Sequence, residues 1–190
     1  ASSESLMRLK AALSTYGEQA LFSPVITTPD GDVWFAGGVI AWVRMRVNHN
    51  TKQSDTGESF LTNFLTGCAL FIPMAIVKKV GFLDERYFLY YEDADYSERV
   101  RRNGGKLVVV PQARVIHSEE SQKNPAKIYW LVRSGTIFFL TQGSGWKKIV
   151  VRMVFFLRRT KNWFECILRP TPVAESVKQA YTDALKSLHV

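Results

Sequence analysis

A cluster of carboxylates near the middle of the chain has the residue types of a catalytic base. Glu92, Asp93 and Asp95 lie within four residues and directly follow the aromatic-rich run Tyr87-Phe88-Leu89-Tyr90-Tyr91. Carboxylates that neighbour apolar residues and one another are typical of general bases, which take a proton from a hydroxyl nucleophile. The cluster is therefore a candidate site for activating a hydroxyl group.

The same residues also suit a purely structural role. Acidic side chains are favoured in the first turn of a helix because they face the positive end of its dipole. Asp95 and Arg99 are four residues apart, so they could form an ion pair on a helix surface. Spacing alone leaves both interpretations open.

The elements that must position this cluster follow from periodicity and turn signals. We predict a helix from about Tyr90 to Asn103, closed by Gly104-Gly105. The other predicted helices cover residues 4–16, with Leu6, Leu9 and Leu13 on one buried stripe, and residues 73–79, 125–141, 146–168 and 174–188. The predicted strands cover residues 20–27, 33–35, 39–47, 60–72, 106–111 and 114–117.

Several motifs, in order and with characteristic gaps, resemble one known family. They are Thr66-Gly67-Cys68-Ala69-Leu70-Phe71-Ile72-Pro73, the run from Val80 to Asp95, then Arg99, Gly104 and Val110-Pro111-Gln112-Ala113-Arg114-Val115-Ile116-His117. This pattern is similar to the C-terminal half of family 2 glycosyltransferases, and most similar to rhamnosyltransferase-like enzymes of bacterial cell-surface polysaccharide synthesis. One departure is Arg133-Ser134, where the family often has Arg-Asn.

The resemblance implies a fold and a reaction. The expected fold is the acceptor-side half of a GT-A-type α/β fold with mixed strands, followed by C-terminal amphipathic helices. The expected reaction moves a sugar from a nucleotide-diphosphate sugar to a hydroxyl of a cell-surface glycan or lipid-linked acceptor, with inversion. Asp93 would be the catalytic base.

The remaining site residues are also implied by the resemblance. His117 would be a ligand of a divalent metal, Mn²⁺ or Mg²⁺, although a lone His at a strand end is commonly a hydrogen-bonded structural residue. Acceptor-binding roles fall to Glu92, Thr66, Gly67 and Trp34. Glu92 could instead shape the helix start, and Gly67 could mark a bulge in a buried strand.

The donor side of such an enzyme has no counterpart in the sequence. The Asp-x-Asp spacings are Asp30-Gly31-Asp32, in a turn, and Asp93-Ala94-Asp95, in the base region, and there is no Gly-rich phosphate loop. We therefore expect residues 1–122 to be the acceptor-side half of a catalytic domain and residues 123–190 a basic helical region. By itself the chain is expected to be inactive, as the C-terminal part of a longer enzyme.

Positive charge is concentrated in the C-terminal region. Residues 1–122 carry 13 Lys and Arg against 14 Asp and Glu, whereas residues 123–169 carry 10 basic residues against Glu165 alone. A basic, aromatic segment indicates an anionic partner, and we expect an anionic membrane surface rather than nucleic acid, because no nucleic-acid-binding motif is present. The apolar stripe of residues 146–168 could instead pack on the domain.

Other observations favour a cytoplasmic protein, peripheral at the inner face of the plasma membrane. No apolar run is long enough to span a bilayer, and no secretory signal is visible. The two cysteines, Cys68 and Cys166, have no metal-like spacing, and Cys68 is predicted to be buried in an apolar strand. A non-catalytic assembly domain and, less favoured, a nucleic-acid-binding protein remain as alternative functions.

Overall fold

The computed structural model describes residues 2–52, 57–118 and 125–188 of the chain. These residues fall into two compact units whose segments alternate along the sequence. The described residues of the first unit lie within Ala1–Ile40, Val47–Leu83 and Asp93–Glu120, and those of the second within Ala41–Arg46, Asp84–Glu92 and Ser121–Val190. The predicted boundary between residues 122 and 123 lies outside the described residues.

A mixed sheet forms the centre of the first unit. Its strands are β1 (Ala20–Thr27), β2 (Val33–Phe35), β5 (Phe60–Leu61) and β6 (Lys106–Ile116), in the spatial order β2-β1-β6-β5. β1 and β6 are parallel, whereas β2 and β5 run antiparallel to their neighbours. Every residue of β1 is buried, as expected for a strand covered on both faces. Two further strands, β3 (Gly38–Ala41) and β4 (Arg46–His49), form a separate pair.

Two stretches of predicted strand differ from the structure. Residues 106–111 and 114–117 form the single strand β6, which shifts its register with β1 between Pro24 and Val25. The predicted strand over residues 39–47 is interrupted by a 3₁₀ turn at Trp42–Arg44, after which Met45 takes a left-handed conformation with φ of 40°.

The predicted strand over residues 60–72 is also mostly absent, and a competing set of hydrogen bonds explains why. Only Phe60–Leu61 joins the sheet as a strand. Beyond it, the backbone N–H groups of Leu65 and Gly67 bond to the side chains of Ser97 and Asp93. A backbone donor that is satisfied in this way does not need a strand partner.

Three helices belong wholly or mainly to the first unit: α1 (Ser3–Tyr16), α2 (Met74–Val80) and α3 (Glu92–Arg102). α1 begins at a capping serine, because the Ser2 hydroxyl accepts the N–H of Ser5 at 3.1 Å. Leu9 of α1 is buried in a core cluster with residues of β1 and β6. Leu6, predicted on the same stripe, is instead exposed.

The second unit contains the helices α4 (Pro125–Gln142), α5 (Trp146–Leu168) and α6 (Pro172–Lys186). The Tyr129 hydroxyl on α4 donates to Asp183 on α6 at 2.8 Å. The Asn162 amide on α5 donates to the carbonyl of Ala174 on α6 at 3.0 Å. Within the described part of the chain, no helix is both long enough and apolar enough to cross a membrane.

The two cysteines differ in exposure. Cys68 is exposed and Cys166 is partly buried. The prediction that Cys68 is buried in a strand is wrong, because Cys68 lies in an exposed turn beyond the end of β5.

Candidate functional site

The start of α3 places the carboxylate of Asp93 against a glycine loop. One oxygen, Oδ2, accepts the N–H of Gly67 at 2.8 Å, and the other, Oδ1, accepts the N–H of Ala94 at 2.7 Å. Thr66 is buried, and its hydroxyl accepts the N–H of Cys68 at 3.4 Å. The structure thus brings together three of the predicted site residues, which are Asp93, Thr66 and Gly67. Backbone donors fix the orientation of the carboxylate, which a general base requires.

A serine on α3 holds this loop in place. The Ser97 side chain is fully buried, and its hydroxyl donates to the carbonyl of Leu65 at 3.3 Å while accepting the N–H of Leu65 at 3.2 Å. Ser97 lies four residues after Asp93, so both project from one face of α3. Our sequence reasoning missed Ser97, although this spacing was a usable signal.

The neighbouring carboxylate, Asp95, has a structural role. Its side chain is fully buried and accepts the Nε of Arg99 at 2.7 Å. The same guanidinium donates to the carbonyls of Val80 and Phe82, each at 2.9 Å. The pairing considered from spacing is therefore present, and it ties α3 to the end of α2.

Glu92, the first residue of α3, has a buried carboxylate oxygen. Its Oε2 atom is inaccessible to solvent and accepts no hydrogen bond from the residues that the structure describes. Buried polar atoms are almost always hydrogen-bonded, so an oxygen of this kind requires an explanation. A polar group of a ligand is one partner that could satisfy it.

The backbone before Glu92 has an uncommon conformation that the sequence did not reveal. Tyr90 and Tyr91 both have positive φ, 65° and 67°. Each non-glycine residue in this region costs about 1–3 kcal/mol, and such strain concentrates at functional sites. Tyr91 is held within the second unit by the rings of Phe138 and Phe139, at centroid distances of 5.5 and 5.8 Å.

Two side chains of α4 hold the segment that leads into these tyrosines. Arg133 donates to the carbonyl of Arg86 at 3.0 Å, and the Ser134 hydroxyl donates to the carbonyl of Leu89 at 2.7 Å. Ser134 occupies the position at which the resembled family often has Asn. A serine hydroxyl can donate to a carbonyl as an asparagine amide can, so the hydrogen bond to Leu89 is made although the residue differs from the family pattern.

A second group of predicted residues meets in an aromatic cluster of the first unit. The ring of Trp34 lies 4.9 Å from that of His117 and 4.8 Å from that of His49. The N–H of His117 donates to Thr27 at 2.8 Å, which extends the pairing of β6 with β1. Phe64 packs on His49 at 5.9 Å. Residues 64–67 therefore connect this cluster to the loop that holds Asp93.

The described residues do not by themselves build a metal site. No group of three or more His, Cys, Asp or Glu side chains among them is arranged to hold an ion. An imidazole is an ordinary ligand for a transition metal, so His117 could supply one bond. The remaining ligands would have to come from outside the described residues.

Comparisons with known proteins agree with the motif pattern. No profile of a known protein family matches the chain. Two curated relatives, from the Mycobacterium tuberculosis strains CDC 1551 / Oshkosh and ATCC 25618 / H37Rv, are each an N-acetylglucosaminyl-diphospho-decaprenol L-rhamnosyltransferase. Each is 29% identical over 166 residues, an alignment that covers 78% of this chain and 54% of the relative. The chain therefore spans about half the length of the curated relatives it matches.

A solved structure supports the fold. The crystal structure of GalNAc-T7 with UDP, GalNAc and Mn²⁺ matches with a TM-score of 0.55 and 19% identity, covering 92% of this chain and 35% of the other. This likeness confirms the predicted α/β fold of the GT-A type. With the curated relatives, it also confirms the resemblance to rhamnosyltransferase-like glycosyltransferases.

Proposed function

We propose that this chain supplies the acceptor side of an inverting glycosyltransferase of family 2. The enzyme would transfer a sugar from a nucleotide-diphosphate sugar to a hydroxyl of a cell-surface glycan or lipid-linked acceptor. The observation that carries the proposal is the carboxylate of Asp93, which accepts the N–H of Gly67 at 2.8 Å at the start of α3. The resemblance to rhamnosyltransferases gives that carboxylate its chemical context.

In the proposed step, Asp93 removes the proton of the acceptor hydroxyl as its oxygen attacks the anomeric carbon. A bond forms between that oxygen and the anomeric carbon, and the bond to the diphosphate oxygen breaks with its electron pair. Attack on the face opposite the leaving group inverts the anomeric configuration. The hydrogen bonds from Gly67 and Ala94 orient the carboxylate for this transfer.

We assign acceptor-binding roles to Glu92, Thr66, Gly67 and Trp34. Glu92, which is only half-buried, would contact an acceptor hydroxyl through its carboxylate, and Trp34 would offer an apolar ring face to a sugar. His117 would give one ligand to a divalent metal, Mn²⁺ or Mg²⁺, which when bound neutralises charge on the leaving diphosphate. Weaker Mn²⁺ binding by His117→Ala than by the wild type, measured by calorimetry, would support this last assignment.

We place the enzyme in the cytoplasm, at the inner face of the plasma membrane, where nucleotide sugars and lipid-linked acceptors meet. The proposal includes no nucleic-acid partner. Its donor contacts would lie mainly outside the residues that the structure describes.

The test is a transfer assay on the protein as its gene encodes it. A panel of nucleotide-diphosphate sugars, including a rhamnose donor, is incubated with glycan and lipid-linked acceptors, and the new linkage is assigned by NMR. We expect release of nucleotide diphosphate that depends on the acceptor, and a product with inverted anomeric configuration. Retention of configuration would refute the role of Asp93, and failure to consume any donor would favour a non-catalytic assembly domain.

A further inference from the structure

One face of α5 exposes an apolar surface to solvent. The buried residues of this helix, Val151 and Asn162, lie on the opposite side. The exposed large apolar side chains are Trp146, Ile149, Met153, Phe156, Leu157, Trp163, Phe164, Ile167 and Leu168. At 100° per residue they occupy an arc of about 140°. A globular helix normally buries such a stripe, yet each of these residues is more than half exposed.

Basic side chains border this apolar face on both sides. Lys148, Arg152 and Arg159 follow one edge at 100° per residue. On the other edge, Lys161 is paired with Glu165 at 3.6 Å, and the ammonium of Lys147 lies over the ring of Trp42. The acidic residue of α5 is Glu165. The face therefore combines an apolar centre and two tryptophans with one strongly basic edge, formed by Lys148, Arg152 and Arg159.

We infer that α5 is an interfacial helix that lies in the surface of an anionic lipid bilayer. Its apolar face would enter the boundary between headgroups and acyl chains, its tryptophans would lie at headgroup depth, and its basic edge would contact anionic headgroups. The helix lies on the membrane rather than crossing it, consistent with the absence of a spanning helix among the described residues.

Charge distinguishes a bilayer from other partners. A second copy of this chain docked through the same face would bring two basic edges together, and like charges repel. A nucleic acid would match the charge but would leave the apolar side chains in water. The inference rests on the exposure and charge of α5, so a negative result in the sugar-transfer assay would not contradict it.

The first test is flotation of the purified chain with vesicles of phosphatidylglycerol and, separately, of phosphatidylcholine. We expect binding to the anionic vesicles only. Phe156→Glu, at a side chain that is 67% exposed, should lower the partition constant by at least about tenfold. The matched control is Phe82→Glu in the first unit, at a side chain that is 81% exposed, which should bind like the wild type.

A second pair of variants tests the charged edge. Lys148→Glu, Arg152→Glu and Arg159→Glu together should lower binding to anionic vesicles by about a hundredfold. The control reverses three exposed lysines of the first unit, Lys10, Lys78 and Lys106, and so changes the net charge equally. Equal losses in both triple variants would overturn the inference, because net charge alone would then explain binding.

Three further results would also overturn it. One is a wild-type chain that fails to float with anionic vesicles. Another is a wild-type chain that sediments as a dimer, converts to a monomer in Phe156→Glu and binds lipid equally in both forms. The third is binding to duplex DNA that is tighter than binding to the anionic vesicles and falls steeply with salt.

Discussion

The carboxylates of Asp93 and Asp95 lie two residues apart on α3 and have different kinds of partners. Asp93 is half-buried and accepts backbone N–H groups from Gly67 and Ala94. Asp95 is fully buried and paired with the guanidinium of Arg99 at 2.7 Å. The Asp93 residue is only half-buried, so a reacting hydroxyl can approach it, whereas the fully buried Asp95, paired with Arg99, contributes mainly to the fold.

Carboxylates from one acidic run of the sequence can therefore have two different roles. The two interpretations of the sequence, a catalytic base and a helix-stabilising cluster, were alternatives only while the residues were treated together. The structure separates them, because successive positions on a helix face different neighbours. Asp95 takes the structural role, and Asp93 remains the proposed base.

We expect the largest effect on activity from a substitution of Asp93, the proposed base. Asp93→Asn keeps the size of the side chain but removes the base, so the transfer rate should fall by roughly 10²- to 10⁴-fold. The thermal unfolding midpoint should fall only slightly, because the amide oxygen can still accept the N–H of Gly67 and only the hydrogen bond from Ala94 is lost. Asp30→Asn, in an exposed turn, is the control and should keep full activity. An Asp93→Asn enzyme as active as the wild type would end the assignment.

For Asp95 we expect the opposite pattern, a large loss of stability and a small loss of activity. Asp95→Asn should lower the free energy of unfolding by about 3 kcal/mol, because it leaves Arg99 without its buried counterion. The rate per folded molecule should change far less than in Asp93→Asn. Urea unfolding combined with active-site titration separates the two quantities. A stable Asp95→Asn variant that has lost turnover would show that the roles of the two carboxylates are reversed.

The helices and the first strand were predicted well from the sequence, and for a physical reason. α5 and β1 begin and end where predicted, because their apolar patterns are continuous and are bounded by glycine, proline or turn residues. The start of α3 differs by two residues, since Tyr90 and Tyr91 adopt a left-handed conformation that no local pattern announces.

The geometry of the candidate site was harder to predict. The hydrogen bond between Asp93 and Gly67 joins residues 26 positions apart, and the pair of hydrogen bonds between Ser97 and Leu65 joins residues 32 positions apart. These long-range contacts also end β5 early, which made the predicted strand too long. Such contacts depend on how the helix packs on the sheet, so periodicity cannot reveal them.

A substitution at Ser97 tests whether the loop of residues 64–67 positions Asp93. Ser97→Ala removes both hydrogen bonds to Leu65 and should cost about 1–2 kcal/mol of stability. It should also lower the transfer rate by about tenfold, because the loop that orients Asp93 becomes less well placed.

A control and a rescue separate positioning from general destabilisation. Ser187→Ala also removes two hydroxyl hydrogen bonds, but these are local to the end of α6, so activity should be unchanged. Ser97→Thr, which restores the hydroxyl, should recover part of the rate. If Ser97→Ala is destabilised yet fully active, the serine supports the fold and does not position the base.

We expect the smallest effect from a change of pH, which would alter stability through His49. This residue lies in the aromatic cluster that residues 64–67 connect to Asp93. The His49 residue is exposed overall, but its ring lies against those of Trp34, Phe35 and Phe64. The loss of water on that side lowers the pKa of His49 below its ordinary value of 6.5, so the folded protein favours the neutral imidazole. In the unfolded chain the same group binds a proton more readily. His49 therefore contributes stability that is complete above about pH 6.5 and is lost as the pH falls through its lower folded pKa.

Urea unfolding between pH 7.5 and 5 should show this decline in the wild type and a shallower one in His49→Phe, whose ring can still pack on Phe35 and Phe64. Identical slopes in the two proteins would mean that protonation elsewhere sets the pH dependence, and that this cluster tolerates a charged imidazole.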